Sequence, residues 1–249
     1  SGADISGIIF WGMKRGRAVA VSANAALRLT VQDNSFINFD TALVVDAGST
    51  ISNSGLVIKN SLFFNNGYLT LRVEGDRNTS GDRCDTVIGG AKLENNFLAG
   101  NYQGINFLCV NDSVISNNIV RDSNIGGLRI ETSARNLIEK NLLHQNKLMG
   151  VWLYATSLGN QFRDNIIIDN NQSHQPATLD CWAPATSISQ DYLNDRDHGQ
   201  QYYPYLKQEN EQFIFTNYFC QFNGNEIELR NAVSRTVFAG NLIGRYQSV

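Results

Sequence analysis

The sequence is poor in several things at once: 3 Pro, 2 Met, 3 His, 4 Cys and only 17% charged residues among 249. So little charge leaves an acidic disordered tail unsupported. A net charge of −3 gives no basic footprint, so nucleic acid is not expected as a partner. No apolar run approaches the 18 or so residues of a membrane-spanning helix, and no membrane is expected. Ser1-Gly2-Ala3-Asp4 lacks the basic and apolar regions of a signal peptide. Cys84, Cys109, Cys181 and Cys220 form no CxxC pair with matching histidines, which argues against a zinc site and for buried free thiols. A bridge between Cys181 and Cys220 stays open at this level.

What the chain has in excess is asparagine, 30 residues. Asn forms helices poorly and turns well, so the excess predicts many tight turns and little helix. An internal period explains where they fall. Asn34-Ser35-Phe36, Asn60-Ser61-Leu62, Asn95-Asn96-Phe97, Asn117-Asn118-Ile119, Lys140-Asn141-Leu142, Asp164-Asn165-Ile166, Thr216-Asn217-Tyr218 and Gly240-Asn241-Leu242 each end on an apolar anchor. The anchors are spaced by 26, 35, 22, 23, 24, 52 and 24 residues, with Ser or Asn before every one. The base period is about 22 to 26 residues, broken twice by longer stretches.

Each unit carries two more short apolar runs. One follows the anchor after a turn, as in Leu69-Thr70-Leu71-Arg72-Val73 and Gly127-Leu128-Arg129-Ile130; the other precedes it, as in Leu56-Val57-Ile58-Lys59 and Leu137-Ile138-Glu139. They alternate with period two, as strands with one buried face do. Three strands in about 23 residues cannot bury a core alone, but as rungs of a coil they can. Leucine-rich, ankyrin and tetratricopeptide repeats need patterns or helices that are missing here. The fold expected is therefore all-β: one parallel β-helix solenoid over residues 1–249, of about nine rungs, with loop insertions near 75–86 and 183–211. Stacked Asn side chains would then hydrogen-bond from rung to rung as amide ladders do.

Units such as Val114-Ile115-Ser116-Asn117-Asn118-Ile119-Val120, followed by Gly126-Gly127-Leu128-Arg129-Ile130, resemble the right-handed parallel β-helix of the pectate-lyase-like superfamily. That superfamily includes polysaccharide lyases, glycosidases, epimerases and phage tailspikes. The resemblance covers roughly residues 27–182 and 212–249; it is specific for fold and nearly silent on reaction. The family usually caps its first rung with an amphipathic helix, whereas Ile5-Ser6-Gly7-Ile8-Ile9-Phe10 reads as strand. The expectation is a piece of a longer chain, or ends covered by another chain.

Placing Leu43, Leu71, Ile105, Leu128, Val151, Leu179 and Ile227 inward gives two outward columns. One reads Val44, Arg72, Asn106, Arg129, Trp152, Asp180 and Glu228; the other reads Asp46, Glu74, Leu108, Glu131, Tyr154, Trp182 and Arg230. Rings beside carboxylates and guanidinium groups suit a polysaccharide, since rings pack on apolar sugar faces and charged groups bind hydroxyls or uronates. The bland reading is a solvated face with cross-strand charge pairs. The two insertions leave directly after these strands and would wall the face into a groove.

The expected catalytic residues are Glu131, Asp180, Glu74 and Arg129, and the expected substrate-binding residues are Arg72, Asn106, Trp152, Tyr154 and Trp182. Glu74 with Glu131, two rungs apart at about 9.6 Å, lies near the inverting hydrolase range of about 6.5–9.5 Å. Glu131 with Asp180 is comparable. A uronate lyase would use Arg129 or Arg72 against the developing enolate, with Ca²⁺ as the cofactor such a lyase implies, although no acidic cluster is spaced tightly enough to assign metal ligands. His144 reads as structural; His174 and His198, near the long insertion, are weaker base candidates. The function expected is binding, and cleavage by hydrolysis or elimination, of an extracellular or capsular glycan by a protein at the cell surface, outside the cell or on a virion. The rival is a non-catalytic tailspike or adhesin shaft, for which the resemblance implies a parallel homotrimer.

Overall fold

The computed structural model describes residues 2–13, 19–24, 28–78, 83–170, 178–182, 206–209, 212–215, 219–223, 227–229 and 235–244, the segments between 178 and 229 as backbone apart from Ile227. Three parallel sheets run along one axis. The first sheet holds strands such as Val57–Lys59, Val114–Ser116 and Leu137–Glu139. The second holds the anchor strands, from Ile9–Trp11 to Leu242–Gly244, and its eight strands mark eight coils against the nine or so expected. The third holds the longer strands, including Thr41–Asp46, Leu69–Glu74, Ile105–Leu108, Gly126–Glu131 and Met149–Tyr154.

After the first coil, each described chain turn between the first and second sheets has the same two-residue corner. Asp33, Asn60, Asn95, Asn117, Lys140, Asp164 and Gly240 take positive φ there, a region that Asn, Asp and Gly occupy at least cost. The next residue turns its side chain inward. Asn118, for example, accepts from the backbone N–H of Asn96 at 2.9 Å and donates to the carbonyl of Leu93 at 2.9 Å and to Oδ1 of Asn141 at 3.0 Å. The chain of bonds runs Asn34, Ser61, Asn96, Asn118, Asn141, Asn165, Asn241.

Two further ladders stand at the other corners. Asn66 bonds Asn101, and Ser123, Asn146 and Asn170 continue the same column in later coils. Ser113, Asn136 and Asn160 form the third. These buried amides satisfy backbone groups that no strand reaches. Between the ladders the core is apolar, with the rings of Phe10, Phe36 and Phe63 stacked along the axis at 4.9 Å and those of Phe162 and Phe238 at 4.5 Å.

The stretch after Asn170 departs from expectation. Gln212–Phe215 is not a parallel rung: it pairs antiparallel with Val237–Ala239 on its outer edge and with Leu206–Glu209. Thr178–Trp182 likewise pairs antiparallel with Phe219–Asn223, which in turn pairs antiparallel with Ile227–Leu229. The rung that stacks on Met149–Tyr154 is Ile227–Leu229. These antiparallel strands cover the last edges of the first and third sheets, which would otherwise present unpaired backbone groups. Asn217 of the expected repeat lies outside the described residues.

For two of the four cysteines the free-thiol expectation is overturned. Cys84 and Cys109 form a disulfide. Cys181 and Cys220 face each other in backbone register; their side chains lie outside the description. The Cys84 bridge closes a sequence separation of 25, a loop for which chain-entropy arguments give about 3 kcal/mol. Replacing Cys84 and Cys109 together by Ser is expected to lower stability by about that amount in urea unfolding monitored by circular dichroism. An unchanged midpoint would disprove the tether's contribution.

Candidate functional site

The outward columns of the third sheet have the register expected of them over six coils. Ser22, Val44, Arg72, Asn106, Arg129 and Trp152 lie in line, followed by Glu228. Asn24, Asp46, Glu74, Leu108, Glu131 and Tyr154 form the parallel column. Alternation along each strand fixes this arrangement, since Leu71, Val73, Ile105, Phe107, Leu128 and Ile130 fill the core.

Asp180 and Trp182 do not continue these columns as expected. Their strand is the third one out from Met149–Tyr154, behind Ile227–Leu229 and Phe219–Asn223. Four strand spacings, roughly 19 Å, therefore separate Asp180 from Glu131 along the sheet. This removes the Glu131 and Asp180 pairing, because Thr178–Trp182 is an outer antiparallel strand and not the rung next to Met149–Tyr154. The segment 183–205, with His198, and also His174 and Arg230 lie outside the described residues.

The first insertion does stand over the face. Arg77 bridges Cys84 in antiparallel fashion, Asp85 N–H donates to the Asp76 carbonyl at 2.8 Å, and Asn78 N–H donates to the Arg83 carbonyl at 3.0 Å. Its base requires glycine: a Cβ on Gly75 would meet the Thr86 carbonyl oxygen at 2.2 Å. The disulfide to Cys109 ties this hairpin to the next coil. From there Arg77 reaches Glu131, two coils further on.

Glu131 is thus held from two sides. One carboxylate oxygen pairs with Arg77 and the other with Arg129, and the residue is only 3% exposed. Arg129 lies over the Trp152 ring at 4.5 Å from its centroid, and Trp152 meets Tyr154 edge to face at 5.9 Å. Two coils away, Arg72 pairs with Glu74 of its own strand in the same way. Burial holds the Glu74 carboxyl above the usual carboxylate range; Arg72 opposes this, and Asp46 and Asp76 add to it by repulsion.

Between Arg72 and Arg129, Asn106 is 5% exposed and its Nδ2 has no hydrogen-bond partner; the Arg129 Nε is buried without one too. Each is a donor that lacks an acceptor oxygen. His144 sits on the second sheet, paired with Asp169 at 3.4 Å and remote from this face. Among the described residues no three His, Cys, Asp or Glu gather as candidate metal ligands, and Glu74 pairs with Arg72.

The columns bring Arg72, Glu74, Asn106, Arg129, Glu131, Trp152 and Tyr154 onto one face. Arg77 joins this face from outside the columns, because it arrives from an insertion. Such a coil, with one face of charged and aromatic side chains, is a polysaccharide-related or structural β-helix. The chain belongs to the right handed beta helix region family, whose model matches residues 17–191. The pectate-lyase-like resemblance is consistent with that membership. No curated protein and no solved structure matches the chain significantly.

Proposed function

We propose that the third-sheet face binds a polysaccharide and hydrolyses it, with Glu74 as the proton donor. The observation that carries this is a carboxyl with raised proton affinity, two coils from a second carboxylate held by Arg77 and Arg129. A glycosidic oxygen near Glu74 receives its proton as the bond to the anomeric carbon breaks. Water adds to that carbon from the opposite side and gives its proton to Glu131. A carboxylate offers about four lone-pair sites, so the two ion pairs leave room for a water. Trp152 and Tyr154 supply ring faces for sugars, and Arg72, Asn106 and Arg129 supply donors to hydroxyl or carboxylate oxygens. The Cys84–Cys109 disulfide supports an oxidising location outside the cell, at its surface or on a virion.

The second reading is a non-catalytic shaft, favoured by the occupation of both Glu131 oxygens. The two separate on a panel of acidic and neutral bacterial polysaccharides, followed by new reducing ends and by ultraviolet absorbance of unsaturated uronates. Hydrolysis is expected to release reducing ends without the absorbance. Absorbance would assign elimination instead, with Arg129 as the stabilising cation. Silence on a polymer that demonstrably binds would leave the shaft.

A further inference from the structure

The second sheet carries an anomaly unrelated to the groove. Its strands are three residues long, with the middle residue inward: Phe36, Phe63, Leu98, Val120, Leu143 and Ile167 are all buried. The outer two should then be polar if the face meets water. Instead the first outward column reads Ile9, Ser35, Leu62, Phe97, Ile119, Leu142, Ile166 and Leu242, in register. The second column begins Trp11, Ile37, Phe64 and Ala99, and returns to Ile168 after Arg121 and His144.

Arg121 is the one outward residue of this sheet that always bears charge, and Asp122 neutralises it at 2.6 Å. The first and third sheets differ sharply: Lys59, Lys92, Glu94 and Glu139 point outward on one, and Arg72, Glu74, Arg129 and Glu131 on the other. Apolar triplets such as Leu62-Phe63-Phe64 and Ile166-Ile167-Ile168 are the pattern of a parallel strand covered on both faces.

We infer that the second sheet's outer face is a self-association surface, covered by a second copy of this chain. Three observations select that occupant. Ile9, Trp11, Phe64, Phe97, Ile119, Ile166 and Leu242 are 36–73% exposed; at roughly 100 Å² each they offer about 700 Å², close to the 800 Å² or so that each partner buries in a standard interface. That exceeds the roughly 300–600 Å² apolar patch of an ordinary monomer. The face also carries little charge, its outward Arg121 being paired with Asp122, so two copies brought together do not repel strongly, whereas a glycan or nucleic acid would find few polar groups to bind. Finally, the strip is straight, roughly 34 Å long from eight strands, and edged by the polar corner residues Asp33, Asn60, Asn95, Asn117, Lys140 and Asp164. An apolar centre with a polar rim, presented identically by every copy, is what a symmetric interface requires.

Sedimentation velocity and light scattering test this directly. The expected result is a mass at least twice the chain's 27.7 kDa, falling to that of one chain in the Ile119→Lys, Ile166→Lys double variant. Val114→Lys, on the first sheet, is expected to keep the wild-type mass. The two Lys substitutions made singly, two coils apart, serve if the pair does not fold, since each should weaken association by at least tenfold. A wild-type monomer at the highest concentration reached overturns the inference, and so does an oligomer whose mass the Lys variants leave unchanged. Neither outcome bears on polysaccharide cleavage, which is proposed for the third-sheet face.

Discussion

Asn118→Ala is expected to cost about 4 kcal/mol of stability, a large share of the 5–15 kcal/mol typical of a domain. The side chain is 1% exposed and sits in the middle of its ladder. Its removal leaves the Asn96 N–H without an acceptor and the Leu93 carbonyl without its amide donor, and it deletes the side-chain bond to Asn141, whose Oδ1 keeps only the Asn118 N–H as donor from that coil. Each stranded group costs roughly 1–3 kcal/mol. Two controls separate this cause from a general sensitivity of the corner. Asn118→Ser should recover part of the loss, because Ser61 fills the same ladder position and its Oγ accepts from the Asn34 N–H at 3.2 Å. Asn95→Ala, at an exposed positive-φ position, should cost about 1–2 kcal/mol for backbone strain alone. Chemical unfolding measures all three; a loss below about 1 kcal/mol for Asn118→Ala would contradict the ladder's role.

That ladder was legible because each anchor brings its own Asn, and the periodic spacing needs no knowledge of what lies beyond one coil. The second ladder carried the same signal: Asn66, Asn101, Ser123, Asn146 and Asn170 are spaced by 35, 22, 23 and 24 residues, echoing the anchors. The register of the third sheet was readable for the same reason, and with it the grouping of Arg72, Glu74, Asn106, Arg129, Glu131, Trp152 and Tyr154. Beyond Asn170 the reading failed because alternation has no direction. Phe213-Ile214-Phe215 alternates equally well as a parallel rung or an antiparallel edge strand, and only the partner distinguishes them. The Cys84–Cys109 pairing and the reach of Arg77 to Glu131 belong to contacts across coils, where an insertion of unknown path decides which residues meet. Spacing along the chain contains neither.

Glu74→Gln is expected to abolish glycan cleavage, by at least the hundredfold that a general acid contributes, while making the protein no less stable at neutral pH. The two effects have one origin. Burial keeps the Glu74 carboxyl protonated to higher pH than in the unfolded chain. Below the unfolded pKa both states hold the proton and nothing is lost. As pH rises through the folded pKa, the unfolded state has already released its proton and the native state must give up a buried one, so stability falls. Glutamine stays neutral and can still bond Arg72, so it avoids that fall. The difference in melting temperature between variant and wild type should therefore be near zero at pH 4 and shift in the variant's favour towards pH 8. Activity of the wild type should decline over the same rise in pH, as the proton to be donated is lost. A Glu74→Gln protein that still releases reducing ends at the wild-type rate removes Glu74 as the donor. If its melting temperature still rises with pH relative to wild type, the burial argument stands without the catalytic one.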